Sequence, residues 1–343
     1  MTRPSFKSLR RPGVVLAATL AALALVACNG PTVVDAPEGA GDFRVNLSMD
    51  PATLNPPQLA TINYTVADAR TGKPVEEYSP VLGALFHNVL ISRDLTHFKH
   101  AYTSRLLLGS FSLQTYFPTT GKYNSYGIFN PTEADVHVYA HTVQAGDEGP
   151  EPNLVDDADK SKVARQYGLR LDLLTGPEPL RAGEAAQIAV FVTERGVPVT
   201  GLWPFLDSPG YLWIIDQESR NFTWVEGVSP SHVLTTTGTP SPSPTAATPE
   251  ATVEPTSPVP TFIPSLIEKL VTRVAQPIPT LAPVQATAQA SILEPQAVRP
   301  AVTHGPYVLF GHQFPEPGLY KIWFEFMYRG QVIYADWVVT VEE

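Results

Sequence analysis

The stretch that decides the fold is TGKPVEEYSPVLGALFHNVLISRD (residues 71–94), because it occurs again as RGVPVTGLWPFLDSPGYLWIIDQES (residues 195–219). Both versions begin with a Gly-X-Pro-Val turn, at Gly72 and at Gly196, and carry a proline eight residues after that glycine. The two versions are 124 residues apart. Repetition at a fixed offset is typical of a chain that contains two copies of one structural unit.

A second pair of stretches shows that the copies differ in length. YFPTTGKYNSYGIF (116–129) is repeated as QFPEPGLYKIWFEF (313–326), with the same Phe-Pro, Gly and Tyr spacing, at an offset of 197 residues. The difference between the offsets predicts an insertion of 73 residues in the second copy. Residues 238–300 hold thirteen of the 35 prolines, together with many Thr, Ser and Ala residues. Such a composition cannot bury a core and predicts an extended, largely disordered segment.

One part of the insertion, PSLIEKLVTRVAQP, interrupts this composition. Ser265 followed by Glu268 resembles a capping box, and prolines lie on either side. A helix is therefore predicted near residues 265–276. Its apolar face could dock on its own sandwich, meet a partner or lie on the membrane, and a marginal helix is a further alternative. This face consists of Leu266, Ile267, Leu270, Val271 and Val274.

Outside the insertion, alternating apolar and polar residues, β-branched and aromatic side chains and Gly/Pro turns predict antiparallel sheets. The fold class is therefore all-β: two immunoglobulin-like antiparallel β-sandwiches, the second interrupted by the low-complexity insertion with one short helix. The first sandwich is predicted over residues 43–144 and the second over residues 167–237 and 301–343. The predicted strands are FRVNLSM, ATINYTVADA, HNVLIS, YNSYGIF and VHVYAHTV, then LRLDLL, AQIAVFVTE, YLWIID, YKIWFEFM and IYADWVVTV.

The N-terminus predicts export. A basic head precedes an apolar run that is too short to span a bilayer permanently, and the run ends in Leu-Val-Ala-Cys at Cys28. This ending resembles a bacterial lipobox, in which the cysteine sulfur is lipidated. We therefore expect a lipoprotein signal peptide at residues 1–27 and a tether at residues 28–42, and the alternative is an ordinary signal peptide with a chance cysteine. A lipid on Cys28 would hold the chain at a membrane surface outside the cytoplasm.

Cysteine count and charge exclude several classes of site and partner. Cys28 is the only cysteine, so a disulfide, a zinc ribbon, a thiol nucleophile and a blue-copper site are excluded. All 33 acidic residues follow Cys28, whereas four of the 23 basic residues precede it, which leaves a net charge of −14 after cleavage. Nucleic acid is therefore not an expected partner.

The segment between the copies, residues 145–166, is predicted to be an acidic linker. Asp156, Asp157 and Asp159 could coordinate calcium, although their spacing does not fit an EF-hand loop. The other interpretation is that they are solvated carboxylates beside the start of a short helix.

Three of the eight histidines lie within LFHNVLISRDLTHFKHAY (85–102). A hairpin with a six-residue loop would pair His87 with Tyr102 and put His100 diagonal to His87 on the same face. His97 would lie in the loop. Two imidazoles on adjacent strands can share a metal ion if their rings turn toward each other.

The same stretch resembles YtkA-like exported β-sandwich domains, whose segment usually reads His, several apolar residues, Ser-X-Asp-Leu, an aromatic residue, X, His, X, His. The Phe-Pro-X-X-Gly-X-Tyr strand and the C-terminal VIYADWVVTVEE resemble the end of that domain, so the resemblance covers both copies. It implies copper or other metal handling. His87 and His100 match two of the usual three histidines, and Tyr102 replaces the third.

The second copy departs from this pattern, since the offset of 124 turns the three positions into Tyr211, Trp224 and Glu226. Tyr211 opposite Glu226 is a candidate hydrogen-bonded pair. Only the first copy could bind a metal ion, and two interpretations stay open there. The histidines are structural or surface residues, or His87 and His100, with His97 or Tyr102, form a weak or open site for Cu(II), Zn(II) or a similar ion.

The remaining histidines give no further site. His137 and His141 lie on the same side of a strand, where they could contribute a ligand but are expected to face solvent. His304 and His312 flank a strand of the second copy without an evident ligand partner.

No enzyme is predicted. Ser92, Asp94 and His97 lie within one turn, whereas a catalytic triad brings its side chains from separate elements. The chain has no Gly-X-Ser-X-Gly, His-Glu-X-X-His or phosphate-binding glycine loop. An aromatic run at strand spacing is typical of a sandwich core, with a carbohydrate or ligand face as the alternative. It comprises Trp203, Phe205, Tyr211, Trp213, Phe222 and Trp224.

These observations predict a membrane-anchored extracytoplasmic lipoprotein that acts as a non-catalytic binding or scaffolding module. Its expected partner is another envelope protein or a ligand, contacted through the aromatic run and the helix near residues 265–276. The alternative is copper or other transition-metal handling by the histidines of the first copy.

Overall fold

The computed structural model describes residues 33–35, 42–164, 167–229, 231–233, 300 and 302–343, and all regular structure in them is β-strand. No helix in this part of the chain could cross a membrane. The predicted signal peptide, Cys28 and the helix near residues 265–276 lie outside the described residues. The strands are β1 (Val33–Asp35), β2 (Phe43–Asp50), β3 (Gln58–Asp68), β4 (Phe86–Ser92), β5 (Phe98–Tyr102), β6 (Ser104–Arg105), β7 (Ser110–Phe117), β8 (Gly121–Phe129), β9 (His137–Ala145), β10 (Ser161–Ala164), β11 (Leu169–Gly176), β12 (Leu180–Arg181), β13 (Ala185–Glu194), β14 (Val197–Pro198), β15 (Leu202–Trp203), β16 (Tyr211–Asp216), β17 (Phe222–Glu226), β18 (Ser231–Val233), β19 (Val302–His304), β20 (Tyr307–Gln313), β21 (Gly318–Tyr328) and β22 (Gln331–Glu342).

The strands form four sheets. Sheet A has the order β1-β2-β3-β7-β6, and sheet B has the order β5-β4-β8-β9. Sheet C has the order β12-β22-β21-β15-β19-β18, with β16 paired to β21 and β17 paired to β16. Sheet D has the order β10-β11-β13-β14, with β20 also paired to β13. The pairing of β12 with β22 is parallel, and the other pairings between these strands are antiparallel.

Three apolar clusters hold these sheets in the order A, B, C, D. The first cluster joins sheets A and B and includes Ile62 and Phe86. The second joins sheets C and D and includes Ile188 and Phe324. The third joins sheets B and C, and its large buried side chains come from both, among them Phe98, Trp213 and Trp323. The two sandwiches therefore pack against each other through their inner sheets.

This packing explains why two strands lack the alternation that a half-exposed strand shows. Every residue of β4 and of β16 is buried, because one face of each strand packs inside its own sandwich and the other packs at the junction of sheets B and C. Strands covered on both faces read as continuous apolar runs. The run YLWII of β16 is of this kind, whereas β4 buries polar residues beside its central Val-Leu-Ile.

The ten strands predicted from the sequence are confirmed, and so is the all-β class with antiparallel sheets. The repeat is also confirmed in the strand pairing. His87 pairs with Tyr102 in β4 and β5, and Tyr211 pairs with Glu226 in β16 and β17, 124 residues later. The hairpin loops match as well, since Leu95 and Ser219 have φ angles of 60° and 61°. The division into two separate domains stays a prediction.

The segment between the sandwiches differs from its prediction. Residues 161–164 form strand β10, which pairs with β11, and the short helix expected beside the three aspartates is wrong. The lysines on this segment pair with two of the carboxylates: Lys160 with Asp156 at 2.7 Å and Lys162 with Asp157 at 3.0 Å. Asp157 also accepts a hydrogen bond from the backbone of Val338, at 2.7 Å, which ties the segment to β22.

Candidate functional site

The hairpin of β4 and β5 has the register that the sequence predicts. His87 pairs with Tyr102 and Val89 with His100, so the two imidazoles share the face that turns toward sheet C. His87 Nδ1 lies 2.9 Å from His100 Nε2, and the ring centroids are 5.1 Å apart. Both side chains are buried, with 0% and 4% of His87 and His100 exposed. They occupy the junction between the two sandwiches.

The pair is completed by a residue that sequence reasoning missed, Glu325 of β21. Its Oε2 atom lies 2.8 Å from His100 Nδ1 and accepts a hydrogen bond of 2.7 Å from Trp213 Nε1. Its Oε1 atom accepts a hydrogen bond of 2.7 Å from the Tyr334 hydroxyl. Glu325 is 1% exposed, so its carboxyl group is satisfied by protein groups alone. We call His87, His100, Glu325, Trp213 and Tyr334 the junction network.

Hydrogen-bond chemistry fixes most of the protons in this network. The carbonyl of Val81 can only accept, so the His87 Nε2 atom beside it carries a proton. The Nδ1 atom of a neutral His87 then accepts from His100 Nε2. One further proton is shared between His100 Nδ1 and Glu325, either as an ion pair or as two neutral groups. A continuous chain of hydrogen bonds therefore links the loop at Val81 to sheet C.

The electrostatics agree with a neutral His87. Burial, together with the neighbouring His100, lowers the pKa of His87 to about 4. Burial and the carboxylate of Glu325 raise the pKa of Tyr334 well above its ordinary value. Tyr334 is thus a proton donor to Glu325 at any pH near neutrality.

The other two candidate ligands, Tyr102 and His97, lie at opposite ends of the hairpin. The Tyr102 ring lies 5.6 Å from His87 and 5.2 Å from His100, at the rim of the network, and is 44% exposed. His97 instead packs its ring 6.1 Å from Tyr123 of sheet B. Burial and Lys99 lower the pKa of His97 to about 4. The structure brings together three of the four predicted residues and separates His97 from them.

The arrangement does not fit a metal ion as it stands. Each ring nitrogen of His87 and His100 already contacts a protein partner, and no orphaned nitrogen of either ring points into a cavity. Among the residues that the structure describes, no group of three or more His, Cys, Asp or Glu side chains is arranged to hold a metal ion. A metal ion would have to displace the hydrogen bonds of the junction network.

The outward orientation predicted for His141 is wrong. This residue is 2% exposed and points into the first sandwich, where both ring nitrogens are buried without a hydrogen-bond partner. Its burial lowers its pKa to about 4. His137, on the same side of β9, is half-buried, with its ring 4.9 Å from Phe43. His312 packs 4.6 Å from Phe314, and burial lowers its pKa to about 4.

The second copy keeps the strand pairing of this hairpin but has no histidine at the matching positions. Tyr211 pairs with Glu226 as the offset predicts, but the Tyr211 hydroxyl donates to the carbonyl of Leu206, at 2.7 Å. The expected hydrogen bond between Tyr211 and Glu226 is therefore wrong. Tyr211 also pairs with Glu325 across β16 and β21, which brings that glutamate to the junction.

Five of the six rings of the aromatic run are covered, as the sandwich-core interpretation predicts, and the alternative of an external contact face is wrong for them. Phe205, Tyr211 and Trp213 are at most 3% exposed and belong to the third cluster, and Phe222 and Trp224 pack against it. Phe222 stacks on Tyr126 of sheet B, with ring centroids 3.9 Å apart. These rings pack against the first sandwich, so they are not available as an external binding face.

A different apolar surface is exposed. The turn between β6 and β7 carries three consecutive leucines, Leu106, Leu107 and Leu108, which are 49%, 85% and 64% exposed. The turn is ordered by hydrogen bonds from Leu106 N to Ser110 O and from Ser110 N to Leu107 O. Leu108 has a φ of 56°, a conformation that costs a leucine about 1 kcal/mol or more. We call residues 106–108 the leucine turn.

Comparisons with known proteins give a partial likeness. Residues 38–147 and 289–343 match a family described as "Domain of unknown function (DUF8832)", and together they make up just under half of the chain. No curated protein matches.

Among solved structures, the chain is similar to the Escherichia coli adhesin FdeC, with 12% identity, a TM-score of 0.22 and 89% of this chain covered. It is also similar to Salmonella alpha-2-macroglobulin reacted with methylamine, with 10% identity, a TM-score of 0.24 and 91% covered, and to E. coli alpha-2-macroglobulin, with 9% identity, a TM-score of 0.22 and 90% covered. The chain spans 65% of the adhesin structure and 15% of each macroglobulin structure.

Proposed function

We propose that this protein is a membrane-anchored extracytoplasmic lipoprotein that acts as a non-catalytic binding module and presents the leucine turn to a partner protein of the cell envelope. The observation that carries the proposal is the exposure of three consecutive leucines in an ordered turn. Runs of exposed apolar residues are unfavourable in a soluble domain unless they serve a contact.

The buried junction between sheets B and C would make the two sandwiches a rigid scaffold for the leucine turn. Separating sheets B and C would expose the large side chains of the third cluster, at about 1.5–3 kcal/mol for each residue. It would also leave Glu325 and His100 without each other in an apolar surface, which is costly for polar groups. The two sandwiches would therefore move as one body.

The binding test places a photo-crosslinking amino acid at Leu107 in the full-length protein in its native cells. We expect one crosslinked adduct of defined mass, whose partner is identified by mass spectrometry. The matched control is Gln114, an exposed residue of the following strand β7, where no adduct should form. With the purified partner, Leu107→Asp should weaken binding at least tenfold. Adducts that are absent at Leu107, or equal at both positions, would contradict the proposal.

Anchoring has a separate test. The full-length protein should partition into the detergent phase and carry a lipid at Cys28, and Cys28→Ser should abolish the lipid and leave the signal peptide uncut. Detection of an unmodified N-terminus downstream of Cys28 in the native protein would contradict the lipobox.

Metal handling is the second candidate, and the contact between the His87 and His100 rings is the observation that favours it. The test is a competitive Cu(II) and Zn(II) titration of the chain from Asn29 onward, beside the variant His87→Ala, His100→Ala. One-to-one binding that is lost in the variant would establish the site. Because each ring nitrogen already has a protein partner, we expect no such binding.

A further inference from the structure

The outer face of sheet D differs in chemistry from the equivalent outer face of sheet A. The repeat relates the two faces, with β3 and β13 offset by 126 residues and β7 and β20 by 197. The first copy presents half-buried polar side chains, and the second replaces them with apolar ones. The pairs are Ser48 and Leu174, Asn63 and Ala189, Thr65 and Phe191, Ser110 and Tyr307, and Ser112 and Leu309.

The apolar face of sheet D is also buried, although this sheet is one end of the four-sheet stack. Leu174, Ala189 and Phe191 are 7%, 0% and 4% exposed and form a cluster of their own with Tyr307 and Leu309. An outermost sheet face normally meets water on one side. We call this cluster the D face.

We propose that the D face is the docking site of the segment 265–276, which packs across it as an amphipathic helix. At the five compared positions the face is apolar in the copy that carries the insertion and polar in the copy that lacks one. A helix laid on an open sheet face is a standard way to bury both apolar surfaces.

The connectivity allows this docking. The insertion leaves from Val233 and returns at Val302, and these two residues pair with each other in β18 and β19. Tyr307, at the start of β20 and on the D face, follows five residues after Val302. More than 20 residues connect each end of the segment to Val233 or Val302. Because an extended chain covers about 3.3 Å per residue, these connections are long enough for the segment to reach the D face.

The dimensions of the two surfaces agree. A 12-residue helix is about 18 Å long and about 10 Å wide. The three strands β11, β13 and β20 span about 10 Å between the outer two, since neighbouring strands lie about 4.8 Å apart. One helix therefore covers the D face, with the apolar side that centres on Leu270 and Val274 turned inward.

The test uses disulfide trapping in the full chain carrying Cys28→Ser, which has no cysteine. One variant adds Leu270→Cys and Leu309→Cys, and the matched control adds Thr272→Cys and Leu309→Cys. Thr272 lies on the opposite side of the predicted helix, two residues from Leu270. We expect the Leu270 pair to form an intramolecular disulfide at least tenfold faster than the control pair.

A second measurement does not depend on disulfide geometry. Alkylation of a single Leu309→Cys should accelerate at least fivefold when Leu270→Glu and Val274→Glu break the apolar side of the segment. Equal trapping rates in the two cysteine pairs, or trapping in neither with an unchanged alkylation rate, would overturn the proposal. Disulfides between chains in place of intramolecular ones would assign the D face to a second copy and overturn it as well.

Discussion

Glu325 is the single residue on which the junction network depends. Three donors converge on its buried carboxylate, from His100, Trp213 and Tyr334. Removal of one partner of a buried ion pair or hydrogen-bonded pair is strongly destabilising, because the polar group of the other partner stays buried and unpaired. The contribution of Glu325 to stability should therefore appear when Glu325 or His100 is removed.

We expect Glu325→Ala to lower the free energy of unfolding by about 3–5 kcal/mol. Urea denaturation of the chain from Asn29 onward, followed by circular dichroism, measures this. The control is Glu218→Ala, whose side chain is 55% exposed, and it should change stability by less than about 0.5 kcal/mol. A similar small change in both variants would show that the network is dispensable.

His141, whose ring nitrogens have no hydrogen-bond partner, links stability to pH. Its folded-state pKa of about 4 lies below the ordinary histidine pKa of 6.5, so the unfolded chain binds the proton more readily than the folded chain. Stability is therefore complete above about pH 6.5 and falls as the pH drops toward 4.

His141→Leu should remove about 2 kcal/mol of the stability loss between pH 7 and pH 5. The measurement compares denaturant midpoints of wild type and variant at both pH values, so that titration of the carboxylates cancels. An unchanged pH dependence in the variant would mean that His141 is hydrated in the folded chain.

At the scale of elements, Gly227 allows strands of sheets C and D to approach closely. Gly227 connects β17 of sheet C to Val228, which pairs with Leu309 of sheet D. A Cβ atom on Gly227 would overlap Val308 Cγ1 and lie 2.8 Å from the Gly210 carbonyl oxygen. The connection between the sheets leaves no room for a side chain there.

Gly227→Ala should lower the free energy of unfolding by about 1–3 kcal/mol through overpacking. Gly311→Ala is the control, since no atom lies within 4 Å of its added Cβ and its backbone is not left-handed. Thermal denaturation of both variants measures this difference, and we expect a lower melting temperature for Gly227→Ala. Equal melting temperatures would show that the connection can relax.

At the scale of the molecule, the third cluster makes the two sandwiches neighbours with a shared core. All five tryptophans lie between residues 203 and 337, in the second copy, so tryptophan fluorescence reports on that sandwich and on its junction with sheet B. A core substitution in the first copy therefore tests whether the sandwiches unfold together.

Ile62→Ala, at a fully buried position between sheets A and B, should destabilise the first sandwich by about 2–5 kcal/mol. We expect the tryptophan transition in urea to move to lower concentration by the same free energy. Thr61→Ala, at a half-buried position on the same strand, should leave the urea midpoint of the tryptophan transition unchanged. A tryptophan transition that ignores Ile62→Ala would show that the sandwiches unfold independently.

The sequence by itself determined the elements and their local pairing. Alternation and turn residues located the ten predicted strands, and a six-residue hairpin loop was enough to set the register of His87 against Tyr102. These features are local, because strand period and hairpin register depend on neighbouring residues in the chain.

Only the tertiary structure decided what lies against the second face of β4 and β16. The sequence of an apolar strand does not say which sheet covers it, so it leaves the aromatic run open between a sandwich core and an external face and gives no sign of Glu325. Packing of sheet B on sheet C buried both, and it gave the two imidazoles a carboxylate from 225 residues away. Contacts between distant segments depend on the shape of whole sheets, and that shape is fixed only when all layers are packed.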